Sequence, residues 1–153
     1  MSDLHIDDFY RDAGLILARL YAVFPRKTTL YVEDISGQDT PDEFGLHSDR
    51  FSSCFSTLLW LADTGYLRYE STIRQEALDQ AVLTERGLLL LCTPCPLPSK
   101  IAFDAPFNSS TPPSIIANAQ TNIQQLRAAL KSRDSIGIAQ IMLFLLDHSR
   151  SYR

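Results

Sequence analysis

The run Leu58-Leu59-Trp60-Leu61-Ala62-Asp63-Thr64-Gly65-Tyr66-Leu67 decides how the rest of the chain is read. Its apolar residues continue a helical spacing that begins at Phe51, and Gly65 falls where helices end. Tyr66-Leu67-Arg68-Tyr69-Glu70 then alternates as a half-buried strand does. Going back from this run, Ser48 is a helix cap. Phe51, Phe55, Leu58, Leu59 and Ala62 form the expected buried stripe, widened by Trp60 and Leu61. Phe55 and Trp60 are expected to be largely buried. Going forward, Ala81-Val82-Leu83 reads as the partner strand, with polar Ser71–Gln80 as the loop between them. Thr84 then caps a short helix through Leu91.

Upstream, Phe9, Ala13, Ile16, Leu17, Leu20, Tyr21 and Phe24 recur at steps of three and four, predicting a helix over residues 8–24. Asp7 and Asp8 suit its start, and Pro25 stops it. Thr28–Val32 is rich in β-formers and reads as a strand. Thr40-Pro41-Asp42-Glu43 has a capping-box pattern with proline at the first helical position, so a short helix is expected there.

Six of the eight prolines fall between Pro94 and Pro113, which predicts a linker or extended arm over residues 93–113. Beyond it, Ser114 caps a helix whose Ile116, Ala119, Ile123, Leu126 and Leu130 make a narrow coiled-coil-like seam. Ser132–Ser135 form the turn. The last segment, with Ile138, Ile141, Met142, Leu143, Phe144, Leu145 and Leu146, is apolar nearly all round. The two helices predict an αα-hairpin over residues 114–149. Its surplus apolar surface predicts a homodimer through Ile116, Ala119, Ile123, Leu126, Leu130, Ile138, Ile141 and Leu145.

The chain has 153 residues, 45% hydrophobic and 21% charged, enough for a core and too apolar for wholesale disorder. Net charge is −4. Residues 1–90 hold eight basic and fifteen acidic side chains, and residues 91–153 hold six and three. A basic nucleic-acid coat and a basic membrane-surface protein are excluded as classes. No apolar run is long enough for a membrane span, and the acidic start lacks the plan of a signal peptide, so a cytoplasmic location is expected.

Two segments carry a family resemblance. Leu58–Leu67 resembles the end of a recognition helix running into the first wing strand. Val82-Leu83-Thr84-Glu85-Arg86-Gly87-Leu88 resembles the "LT-x-x-G" step that leaves the wing in many winged-helix proteins. Residues 8–92 therefore resemble the winged-helix superfamily. The fold class this implies is mainly α with a small antiparallel β wing, followed by the αα-hairpin. The superfamily's common activity is DNA binding. By resemblance, Arg50, Ser52, Ser53, Ser56 and Thr57 would lie on the exposed face of the recognition helix, with Arg68 and Arg74 on the wing. A DNA surface needs several Lys/Arg for phosphates, and the acids at 39, 42, 43, 49, 70 and 76 work against it. A protein-interaction or scaffold use of the fold is the preferred reading, with a DNA-binding regulator as the alternative.

Other chemistry is missing from the sequence. There is no G-x-x-x-x-G-K, G-x-G-x-x-G, H-E-x-x-H or G-x-S-x-G. Cys92-Thr93-Pro94-Cys95 has C-x-x-C spacing, but the other candidate ligands, Cys54, His5, His47 and His148, are scattered. No enzyme, metal or cofactor is expected.

Overall fold

The computed structural model describes residues 4–95 and 120–149. In these, six helices surround a small four-stranded antiparallel sheet. Helix α1 (Leu4–Val23) comes first, then β1 (Thr28–Tyr31), α2 (Val32–Ser36) and α3 (Asp49–Asp63). Three strands follow, β2 (Leu67–Arg68), β3 (Ser71–Ile73) and β4 (Ala77–Leu83). Helix α4 (Glu85–Cys92) leads out of the sheet, and α5 (Asn122–Ser132) and α6 (Ser135–His148) form the terminal hairpin.

Local chemistry accounts for most of these boundaries. The Ser48 hydroxyl accepts the Phe51 N–H at 3.2 Å and so caps α3. Gly65, at φ +89°, lets the chain leave α3 through the left-handed region, and Tyr66 N–H returns to the Leu61 carbonyl at 2.9 Å. Thr84 caps α4 by accepting the Gly87 N–H at 3.1 Å.

Three expectations are corrected. The short helix falls at Val32–Ser36, not at 40–43. There Val32 and Ile35 bury one face. At 42–46 no face is buried, and the Asp42 carboxylate takes the N–H groups of Phe44 and Leu46, both at 2.9 Å, which competes with helix formation. The stretch 71–80 is not a loop. It is a hairpin, β3 on β4, turning at Arg74-Gln75 with both residues at positive φ (+49° and +58°). Such a turn usually carries Asn or Gly, so the sequence offers no signal for it. Thirdly, Phe55 is half-buried and Trp60 is 40% exposed. Phe51, Leu58 and Leu61 turn inward as expected, joined by Cys54 and Thr57.

Strand β4 is the centre of the sheet, pairing with β1, β2 and β3. One continuous core runs from α1 through α3 and the sheet to α5 and α6. Ile123, Leu126, Ile138, Ile141 and Leu145 are each at most 4% exposed within a single chain. Within one chain these side chains are already packed, much of the hairpin lying against α1. Leu130 is half-buried, and Ile116 and Ala119 lie outside the described residues.

Polar ties fasten the hairpin. The Tyr66 phenol meets Ser149 Oγ at 2.5 Å. Arg86 donates to Ser149 Oγ at 3.0 Å and to the Thr64 carbonyl at 2.8 Å, with its guanidinium over the Tyr66 ring. At the other end, buried Asn122 donates to the Leu90 carbonyl at 2.7 Å. No helix among the described residues is long and apolar enough to cross a membrane.

Candidate interaction face

The outward side of α3 faces the first turns of α1 across an open groove of about 630 Å³. Helix α1 contributes His5, Ile6, Phe9 and Asp12. Helix α3 contributes Asp49, Ser52, Ser53, Ser56, Thr57 and Trp60. The lining is amphipathic: serine hydroxyls along one side, and an apolar end where Phe9 and Trp60 meet edge to face at 5.1 Å.

Arg50 is spent inside the protein. Its two terminal nitrogens donate to the two Asp12 carboxylate oxygens at 2.5 and 2.6 Å, and Nε lies 3.6 Å from Asp8. The Asp12 side chain is 1% exposed, so this fork supplies the hydrogen bonds that water cannot reach it to make. The hydrogen bonds to Asp12 hold the Arg50 guanidinium above its ordinary pKa. Arg50 was expected to meet phosphate, but moving it outward would strand a buried carboxylate. Arg50→Ala should therefore cost about 3 kcal/mol. Asp12→Asn should cost less, because Arg50 is 29% exposed on its side chain and can turn to water. Chemical denaturation of the two variants would check this order.

The other expected site residues separate. Ser52, Ser53 and Ser56 are exposed on the groove, as the resemblance implied. Thr57 is corrected: it is 4% exposed, and its hydroxyl donates to the Ser53 carbonyl at 2.9 Å. Arg68 on β2 and Arg74 at the hairpin tip are both exposed. Neither lines the groove.

One feature was not anticipated, and a second, a cysteine read as packed beside the buried stripe of α3, gains its neighbours here. His47 joins the loop before α3 to the hairpin tip: Nδ1 lies 2.7 Å from Asp39 and Nε2 lies 3.4 Å from Glu76, with the ring stacked on Phe51 at 3.8 Å. The Ser48 hydroxyl, 2.7 Å from Asp39, is the largest of the causes that hold that carboxyl below its ordinary pKa. The second feature is Cys54, fully buried beside Asp12 and Arg50, whose thiol burial pushes up to about 12. Its neutral form is favoured by folding, so that contribution holds below the free-thiol pKa and fades as pH rises toward 12. Native alkylation at pH 8 should accordingly spare Cys54 and modify exposed Cys92. Mass mapping of the labelled chain reads the result, and rapid native labelling of Cys54 would contradict its burial.

Among the described residues no group of three or more His, Cys, Asp or Glu is placed to hold a metal ion. Comparison with protein-family models, with curated proteins and with solved structures finds no match for this chain.

Proposed function

We propose that this chain is a non-catalytic winged-helix module that binds a protein partner through the outward face of α3. The winged-helix reading is supported by the element order α1-β1-α2-α3 leading into the sheet and by the strand order β1-β4-β2. The protein-binding reading rests above all on Arg50. It is the only lysine or arginine in α3, and Asp12 and Asp8 hold it. The face then offers hydroxyls, Asp49, Phe9 and Trp60, which suit a peptide surface better than phosphates. Of the hairpin residues expected between two copies, Ile123, Leu126, Ile138, Ile141 and Leu145 are buried within one chain, while Ile136 and Leu143 of the last helix stay exposed.

Exposed Arg68 and Arg74 are what favours the DNA alternative. Fluorescence anisotropy with labelled genomic duplexes separates the two readings. At 50 mM salt and about 10 µM protein, no saturable binding is expected. Binding that falls steeply with salt, and weakens when Arg68 and Arg74 are replaced by alanine, would establish the DNA reading instead.

A further inference from the structure

Between α2 and α3 the chain makes a turn that exposes what a soluble surface normally hides. Phe44 is 80% exposed and Leu46 is 64% exposed. The turn that carries them is fastened. Asp42 Oδ1 accepts two backbone N–H groups, and the Asp42 N–H donates to the Leu46 carbonyl at 3.0 Å. Gly45 closes it at φ +76°, donating its N–H to the Asp42 carbonyl at 2.9 Å. Behind it, Asp39 and His47 tie the same loop to the cap of α3 and to the β3–β4 hairpin. Two apolar side chains on a preorganised turn lose little conformational entropy on binding, which is how an anchor for a partner's pocket is built.

The charge around the turn selects the partner. Residues 33–49 contain Glu33, Asp34, Asp39, Asp42, Glu43 and Asp49 and no lysine or arginine. Asp39 is taken up by His47 and Ser48, and Arg19 reaches the Asp34 carbonyl, which leaves Asp42 and Glu43 as the exposed acids on the turn itself. Nucleic acid and anionic lipid would be repelled. A second copy presenting the same surface would set carboxylates against carboxylates. We propose that the Asp42–Leu46 turn is a docking knob for a protein whose apolar pocket, rimmed by lysine or arginine, receives Phe44 and Leu46. This deepens the proposed function and rests on its protein-binding reading.

The test places the photo-crosslinking residue p-benzoylphenylalanine in the full chain, at position 44 and separately at position 56, in the native host. The expected result is a protein adduct from position 44, mapped to apolar residues bordered by Lys or Arg. Its yield should fall about tenfold with Glu43→Lys and with Leu46→Ser. Both substitutions are at exposed positions, and unchanged thermal melts would show that the fold is retained. Adducts from position 56 alone overturn the knob and leave the proposed function standing. So do a self-adduct at 44, a patch without cations, or a yield that ignores both substitutions, provided position 56 captures protein. DNA captured at position 56, or no adduct at either position, overturns both.

Discussion

Leu126→Asp should leave no folded protein under conditions where Leu143→Asp, on the neighbouring helix, changes stability by about 0.5 kcal/mol or less. Leu126 is fully buried, and the small Gly14 of α1 lets it approach so closely that a Cβ there would lie 3.1 Å from its Cδ1. Truncation to alanine at such a site costs about 3 kcal/mol through lost contacts and a cavity. Aspartate adds the cost of burying a carboxylate at a site packed by apolar side chains. Together these rival the roughly 5–15 kcal/mol that holds a typical domain folded. Leu143 is 58% exposed, so an aspartate there stays in water. Circular dichroism and sedimentation distinguish this from an interface role. If Leu126 lay between two copies, its aspartate variant would be a folded monomer.

Gly87→Ala should destabilise the protein by about 2–3 kcal/mol, although helix propensity alone predicts a gain of about 1 kcal/mol at this position in α4. Sterics outweighs propensity here. A Cβ on Gly87 would lie 2.2 Å from the Tyr66 carbonyl oxygen and 3.2 Å from Leu83 Cδ2. That carbonyl is part of the backbone and cannot swing aside as a side chain would. It also accepts the Thr84 N–H at 3.1 Å, and the Thr84 hydroxyl donates to the Gly65 carbonyl beside it at 2.6 Å. Separating α4 from the α3–β2 corner therefore strains both bonds and pulls at Tyr66, which carries the tie to Ser149. Thermal unfolding would measure the effect. A raised melting temperature would mean that the corner yields without cost.

The same corner shows what can be read without coordinates. Thr84 and Gly87 stand three residues apart, and their pairing needs only local geometry: a hydroxyl reaching a backbone N–H within one helical turn. Ser48 and Phe51 obey the same rule. The caps of α3 and α4, the apolar face of α1 and the turn between the last two helices were legible for that reason, but the start of α5 was not: it falls at Asn122 after an extended Thr121. Interactions within four residues are nearly fixed by backbone geometry, and apolar periodicity states which face a helix must bury.

The pairing of Tyr66–Glu70 with Ala81–Leu83 was legible, but side-chain contacts between helices were not. Arg50 reads as a free cation on an outward face, and its partner Asp12 lies 38 residues earlier on another helix. The inward turn of α3 depends on where α1 and α2 press against it, so Thr57 is buried while Phe55 and Trp60, both expected inside, are half-buried and exposed. Positive φ at Arg74 and Gln75 is tolerated because β3 and β4 pair on either side of them. The apolar surplus of the final helix was visible in the sequence, but not what would cover it. Hydrophobic burial has no direction and is roughly proportional to area, so composition alone determined that most of those side chains had to leave water. Only the tertiary packing of α1 against the hairpin decided that Ile138, Ile141, Met142 and Leu145 do so while Leu143 stays at the surface.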